Sequence, residues 1–399
     1  MPDAVIVATG RTPIGRANKG SLVSCRPDDL AALVIKEVLA KVPQLDPGLV
    51  EDVLLGCGQP AGEAGYNVAR VAALLAGVDV PGVTVNRYCS SSLQTIRMAA
   101  HAIKAGEGDV FLAAGVETVS RFQYGASDVG PHNPAFAEAE ARTAARNPAV
   151  TEPWTPPKGL GDVYIAMGQT AENVAEYEKV TREEMDEFAA LSQNRAVASQ
   201  KNGFFEREII PVTLEDGTVV TKDDGPRAGT SLEGLAKLKP VFREGGTVTA
   251  GNACPLNDGA AAVIVMSDTK AKALGITPLA RIVASGVIPN SLALVSLMTT
   301  TAAAPSLSGQ AFPAVTVPPS RKTGLRLESP SSVVLGRGQS SLVMTVPSAN
   351  VTGMISRSKN PFSCDAAARA CDRRANSSIS SRLTFSDSAT FSAVCPMAM

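Results

Sequence analysis

Histidine is almost missing from this sequence. Only His101 and His132 occur in 399 residues, and neither belongs to an HExxH or HxH pattern, which argues against metal catalysis. The seven cysteines, Cys25, Cys57, Cys89, Cys254, Cys364, Cys371 and Cys395, are scattered, odd in number and free of any C-x-x-C pair. That spacing speaks for reduced thiols over disulfides or a zinc site. An excess of one charge is lacking too. The formal net charge is −1, so no global field favours nucleic acid or an acidic membrane, and any anionic ligand must be held by a local patch. No window approaches the roughly 18 consecutive apolar residues that cross a bilayer. The first residues, MPDAVIVATGRTPIGR, lack a charged region followed by a long apolar core and read as a strand entering a Gly/Pro turn. The expected location is the cytoplasm.

What is present is an ordinary globular composition, 45% hydrophobic, in a chain long enough for two or three domains. Residues 1 to 120 alternate short apolar runs with helical patterns. Strands are predicted at Ala4 to Ala8, Asp52 to Gly56, Val83 to Asn86 and Asp109 to Gly115, with helices at Asp29 to Leu39 and Tyr66 to Ala76. Such alternation predicts a layered α/β domain. From Ser120 to about Val248 the chain turns polar and Pro-rich, with helical stretches at Met167 to Tyr177 and Arg182 to Asn202, and reads as an excursion out of the sheet. Gly259 to Ser267, GAAAVIVMS, reads as a central strand re-entering it. A short helix at Lys270 to Leu274 and a strand at Leu279 to Ala284 should open a second half.

The chemistry centres on VTVNRYCSSSLQTIRMAAHAIKAG, Val83 to Gly106. Leu93, Ile96, Ala100 and Ile103 recur at helical spacing, Ser90 to Ser92 are cap-competent, and Gly106 is a natural stop. Cys89 therefore sits where a strand hands over to a helix. Backbone N–H groups and the positive end of the helix dipole at that point favour thiolate over thiol. The competing reading of Cys89 from its local context is a small buried hydrophobe. His101 lies twelve residues further along the helix, out of reach of the thiol, and His132 in a Gly/Pro/Asn turn reads as solvent-facing. Glu117 and Asp258 read as structural hydrogen-bond acceptors.

Around Cys89 the sequence resembles the thiolase family, specifically acetyl-CoA acetyltransferases and 3-ketoacyl-CoA thiolases of bacteria. The resemblance runs through RTPIGR (Arg11 to Arg16), NRYCSSSLQTI (Asn86 to Ile96), GVETVSR (Gly115 to Arg121), MGQTAENVA (Met167 to Ala175) and TAGNACPLNDGAA (Thr249 to Ala261). It implies an α/β fold of layered α-β-α-β-α architecture, two similar halves with an inserted loop domain. The N-terminal domain would occupy residues 1 to 268, with the loop domain at about 121 to 248, and the C-terminal domain 269 to 399. It implies that Cys89 takes the acyl group from a 3-ketoacyl-CoA and passes it to coenzyme A, or condenses with acetyl-CoA in reverse. By the same resemblance Met167 and Phe242 wall the pantetheine channel, Ala250 and Cys254 line its deep end, and Arg227 lies near the nucleotide of CoA. Core packing is the alternative for Met167 and Phe242, and a solvated loop charge for Arg227. No permanently bound cofactor or metal is implied, coenzyme A being a cosubstrate. The implied partners are acyl-CoA and CoA, with a homodimer or homotetramer as the assembly.

The second half departs from that pattern. The Asn-Glu-Ala-Phe, Gly-His-Pro and Cys-x-Gly-Gly-Gly segments that thiolases carry there are not found, and no histidine follows His132. Past about Val287 serine rises to roughly one residue in five and tyrosine disappears, unlike an average globular domain. Cys364, Cys371 and Cys395 lack the glycine run, and Pro396 after Cys395 has no N–H to offer. The expectation is a shifted reading frame after about Val287; a truly divergent second half is the rival. A tail without apolar periodicity is expected to leave an apolar face of the first half uncovered and the protein poorly soluble. A non-catalytic CoA-thioester binder and a ketoacyl-synthase-type condensing enzyme are the other functional classes, the latter disfavoured by the Met167 to Ala175 and Thr249 to Ala261 segments. Translation of the gene in its other two frames is expected to restore the histidine and cysteine segments, and their absence there would remove the frameshift.

Overall fold

All nine residues of Val110–Thr118 (β5) are buried, so this strand is covered on both faces. A computed structural model describes residues 1–146, 152–288 and 340–346 of the chain. In order, the strands are Ala4–Arg11 (β1), Gly15–Arg16 (β2), Asp52–Gly56 (β3), Gly82–Val85 (β4), β5, Val212–Thr213 (β6), Val219–Val220 (β7), Asn257–Ser267 (β8), Ala280–Ile288 (β9) and Ser340–Val346 (β10). The helices are Pro27–Ala40 (α1), Val68–Leu75 (α2), Ser91–Ala105 (α3), Ala137–Ala144 (α4), Met167–Glu178 (α5), Arg182–Lys201 (α6), Leu232–Ala236 (α7) and Asp268–Ala273 (α8).

The main sheet runs β10-β9-β1-β8-β5-β3-β4, with β2 on β8. β3, β4 and β5 are parallel, whereas β8 lies antiparallel between β5 and β1. The GAAAVIVMS segment is thus the central strand its apolar run predicts. Strand periodicity divides the core in two. Val53, Leu55, Leu112, Ala114, Ile264 and Met266 face one side, where they meet α1 and α2. Leu54, Phe111, Ala113 and Val265 face the other, where they meet Ala99, Ala100 and Ile103 of α3. The result is a mixed α/β sheet covered by helices on both faces. The second half of the layered architecture falls largely outside the described residues. So do the expected tail after about Val287, apart from β10, and the cysteines at 364, 371 and 395.

Most boundaries shift by a few residues from expectation; β1 and β5 run on to Arg11 and Thr118, past the expected Ala8 and Gly115, and β9 runs on to Ile288, past Ala284. The helix predicted from Tyr66 starts at Val68, because Tyr66 and Asn67 both hold left-handed backbone, φ +52° and +56°, which breaks the helical turn. β9 begins against β1, pairing Ala280 with Ile6 and Arg281 with Val5, and continues against β10.

Between β5 and β8 the chain leaves the main sheet, and its described residues there form the β6–β7 hairpin, helices α4 to α7 and short 3₁₀ turns. Arg11 fastens this excursion to the end of β1. Its buried guanidinium takes both oxygens of Asp223 at 2.7 and 2.9 Å and Glu208 Oε1 at 2.8 Å, and its face lies over Phe205. Two ion pairs and a ring together satisfy a charge that burial would otherwise penalise. The RTPIGR segment is therefore first a structural clasp.

Glycines in the parallel strands let α3 approach the sheet. A Cβ on Gly56 would stand 2.6 Å from the Ser91 carbonyl carbon and 2.7 Å from Ser92 N, and one on Gly115 would meet Ser92 Oγ at 1.8 Å. Gly56 and Gly115 pair across β3 and β5 in register, so both openings lie at one level. Gly56→Ala is expected to push the first turn of α3 off the sheet and cost about 1–3 kcal/mol of stability. A denaturant titration that leaves the midpoint unchanged would contradict this.

Candidate functional site

Because β1, β3, β4 and β5 point the same way, their carboxyl ends collect at one edge of the sheet. That edge is where α/β folds place ligands. There the structure gathers Cys57 to Gln59 after β3, Asn86 to Cys89 after β4, Glu117 and Thr118 at the end of β5, and Asn257 and Asp258 at the start of β8.

Cys89 occupies a single 3₁₀ turn, Tyr88–Ser90, immediately ahead of α3. It is exposed, so the reading of a small buried hydrophobe is overturned. The serines behave differently from expectation as well. No side chain caps α3 from Ser90; instead Ser91 Oγ accepts from Arg87 N at 2.8 Å and donates to Tyr88 O at 2.6 Å. The hydroxyl that pattern alone assigns to the helix is spent closing the turn before it. Tyr88 holds φ +44°, a conformation uncommon for a side-chain-bearing residue. Its N–H bonds Asn86 Oδ1 at 2.8 Å and its hydroxyl bonds Asp128 at 2.9 Å.

Cys254 is half-buried, with its Sγ 3.7 Å from Pro255 O. Burial first, and then the charge of Cys89, push its thiol up to about 11, so it stays protonated at neutral pH. Of the residues drawn from the resemblance, this is the one whose thiol senses Cys89.

Phe242 packs on the start of α5, whose first residue is the half-buried Met167. The Phe242 ring lies where a Cβ on Gly168 would be, 2.1 Å away, so the ring packs flat on the helix. One polar stripe of α5 holds the segment that carries Phe242. Gln169 Nε2 donates to Phe242 O, and Asn173 accepts from Arg243 Nη2 at 2.6 Å. Glu176 pairs with both Arg146 and Arg243. Glu172 accepts from Thr247 N at 2.9 Å, Thr247 Oγ1 at 2.9 Å and Val248 N at 2.8 Å. Spacings of three and four put these four residues on one helix face, a pattern readable in MGQTAENVAEYE. Ala250 is exposed at the turn before Cys254. Arg227 is exposed too, its backbone N–H bonded to Gln193 Oε1 at 2.9 Å, and its guanidinium forms no ion pair among the described residues.

His101 is an exposed residue of α3, its pKa lowered by partial burial and by Arg97 and Lys104. His132 is exposed, yet it stacks on Tyr164 at 4.1 Å and pairs with Glu140. Asp258 accepts from Ser120 N at 2.9 Å and Ser120 Oγ at 2.5 Å, a structural role. Glu117 is also an acceptor, taking Gly58 N at 2.7 Å and Gln59 N at 3.2 Å with Cys57 Sγ at 3.7 Å. Burial lifts its pKa to about 7, more than those hydrogen bonds lower it. The same burial, followed by the charge of Glu117, pushes the Cys57 thiol upward. Among the described residues no group of acidic, histidine or cysteine side chains could hold a metal ion, and no helix is long and apolar enough to cross a membrane.

A mixed sheet covered on both faces, with an exposed cysteine on a closed turn at the carboxyl ends of its parallel strands, has the layout of an α/β acyl-transfer enzyme. Comparison with known proteins makes that specific. The family described as Thiolase, N-terminal domain, matches residues 4–269. The 3-oxoadipyl-CoA/3-oxo-5,6-dehydrosuberyl-CoA thiolase of Escherichia coli strain K12 is 44% identical over 304 residues, which cover 74% of each chain. The 3-ketoacyl-CoA thiolase of Bacillus subtilis strain 168 is 39% identical over 295 residues, 70% of each chain. The crystal structure of the Bacillus anthracis acetyl-CoA acetyltransferase superposes with a TM-score of 0.59 at 36% identity and covers 73% of each chain. The chain belongs to the thiolase family of acyltransferases.

Glu117 gives a pH test. The folded state keeps its proton up to about pH 7, whereas the unfolded chain loses it at the ordinary 4.5. Between those values the folded state binds more protons, so this group's contribution to stability is greatest below the lower value and declines as pH rises to the upper one. Relative to Glu117→Gln, the unsubstituted protein is expected to lose up to about 3 kcal/mol across that window and to change little above it. Parallel stability–pH curves for the two proteins would refute the assignment.

Proposed function

We propose that Cys89 is the acyl-accepting nucleophile of a thiolase acting on 3-ketoacyl-CoA, in the degradative direction or in the reverse Claisen condensation. The observation that carries the reading is the exposed placement of Cys89 on the turn between β4 and α3. In the degradative direction the Cys89 thiolate adds to the 3-keto carbonyl, the C2–C3 bond breaks, and the departing acetyl-CoA carbanion takes up a proton. A CoA thiol then displaces Cys89 from the shortened acyl group by thioester exchange. With acetyl-CoA in the condensation direction Cys89 attacks the thioester carbonyl, the acyl–sulfur bond to CoA breaks, and the proton lost by Cys89 ends on the CoA sulfur. Thioester exchange involves little change in bond energy, so one difficult transfer divides into two easier ones. Coenzyme A is a cosubstrate, with no cofactor held permanently.

In this reading Met167 and Phe242 wall the pantetheine channel, Ala250 and Cys254 line its far end, and the exposed Arg227 meets the CoA nucleotide by swinging from the surface. A protonated Cys254 beside Cys89 adds no second negative charge to the site. The assembly is a cytoplasmic homodimer or homotetramer serving fatty acid β-oxidation. The relatives named for 3-oxoadipyl-CoA and β-ketoadipyl-CoA extend the acyl class to dicarboxylic chains.

The exact sequence supplies the nucleophile but no histidine beyond His132. Removal of a general base costs about 10²- to 10⁴-fold, so acylation of Cys89 is expected to outlast turnover. That same observation favours a second reading, a CoA-thioester binding homologue without catalysis.

Incubation with acetyl-CoA followed by peptide mass spectrometry is expected to show acetyl on Cys89 and none at that position after Cys89→Ser. Acetoacetyl-CoA cleavage by the purified chain is expected to run at least about 10²-fold below the rate of a complete thiolase. Acyl-CoA binding with no acyl-cysteine would leave only the second reading standing, and ordinary turnover would show that the missing histidine is not needed.

A further inference from the structure

The turn that carries Cys89 is held in an uncommon backbone state by an exposed side chain, and the chain of contacts leads back to a buried carboxylate. Tyr88 stands at φ +44° with its N–H on Asn86 Oδ1 at 2.8 Å. The other end of the same amide, Asn86 Nδ2, donates to Gly58 O at 3.1 Å. Gly58 N in turn donates to Glu117 Oε2 at 2.7 Å. Gly58 is confined on both sides: a Cβ there would lie 2.9 Å from Glu117 Oε2 and 3.6 Å from Tyr88 Cα. The strand end after β3 is thus a spacer of fixed thickness between the carboxylate and the nucleophile turn.

We infer that Asn86 and Glu117 are positioning residues for Cys89, acting in series through the Gly58 peptide to hold Tyr88 left-handed and the sulfur at the head of α3. Each link has a physical reason. Glu117, 3% exposed, gives two otherwise unpaired backbone N–H groups a single acceptor and so fixes where Gly58 lies. Asn86 reads that position with its amide donor and transmits it with its amide acceptor, a relay that neither aspartate nor serine provides in full. Tyr88 without that bond gains by relaxing toward negative φ, which carries the next residue away from the first N–H groups of the helix. The inference rests on the reading of Cys89 as the acyl-accepting nucleophile, since only then does the placement of the sulfur matter to a reaction.

Asn86 is exposed, so Asn86→Ala opens no core cavity and is expected to fold, with a melting temperature within a few degrees of the parent. The full chain, Asn86→Ala, Glu117→Gln and the double variant are compared by the rate at which iodoacetamide alkylates Cys89, followed peptide by peptide with Cys25, a half-buried free thiol, as the internal reference. Alkylation reports the turn without any thioester. Asn86→Ala is expected to slow Cys89 about tenfold while leaving Cys25 unchanged, because sulfur displaced from the N–H groups is less often thiolate. Glu117→Gln is expected to slow it about threefold, and in the Asn86→Ala background to add nothing, since both act along one path. With acetyl-CoA the limiting acylation rate is expected to fall and the half-saturating concentration to hold. Unchanged alkylation in Asn86→Ala, or multiplicative effects in the double variant, overturns the inference. Should acetyl-CoA fail to acylate the parent chain while the alkylation pattern holds, the nucleophile reading fails and the relay remains only a feature of the fold.

Discussion

The closeness of α3 to the sheet is the constraint on which the rest depends. Gly56 and Gly115 leave no room for a Cβ where the first turn of the helix crosses β3 and β5. That contact fixes the height of Ser91 and Ser92, and through Ser91 Oγ it fixes the turn from Arg87 to Tyr88. Cys89 has nowhere to go but outward, at the rim, in front of the helix. An ordinary interhelical or helix–sheet separation would give the same turn freedom to move. Packing, more than the intrinsic character of the cysteine, presents the sulfur.

Acidic side chains, three of them buried, stand in for backbone partners at several points where the chain leaves a regular element. Glu117 serves the strand end after β3, Asp258 the turn at Ser120, Glu172 the segment at Thr247 and Val248, and Asp223 the start of Ile14. Each accepts a main-chain N–H that has no partner in the sheet or a helix, and an N–H left unmade in such a place costs more than a made bond contributes. The price of this arrangement shows at Glu117, where burial outweighs its hydrogen bonds and raises the pKa to about 7. The carboxylates thus join the excursion between β5 and β8 to the rim, and α5 carries the segment of Phe242 as one piece with it.

How much of this was readable in the amino-acid order differs from residue to residue. The alternation of Val53, Leu54 and Leu55, and of Phe111 to Ala114, announces strands with two covered faces, and the structure puts alternate members in separate cores. The handover at Cys89 and the stop at Gly106 follow from local signals, and Gly106 takes the left-handed conformation such a stop needs. Tyr66 and Asn67 escaped because left-handed backbone at residues other than glycine has no dependable sequence mark. Asn86 escaped because its partners, Gly58 O and Tyr88 N, lie on different strands' ends. The polar stripe of α5 carries a legible signal, Gln169, Glu172, Asn173 and Glu176 at helical spacing, though its direction into the protein is against the usual sense of polar faces.

From its sequence alone this protein declares the order of its elements, the cysteine at the strand–helix junction and the segments that relate it to thiolases. Those features are local, set by side-chain periodicity, turn chemistry and short contiguous patterns. Tertiary structure decided that Cys89 is exposed, that Ser91 closes the turn in place of capping the helix, and that Cys254 senses Cys89. It also decided that Glu117 sits behind Gly58 with its proton held to near-neutral pH. The last two depend on groups far apart in the chain being brought together, with water excluded around the carboxylate, and the first two on packing that holds the first turn of α3 against the sheet.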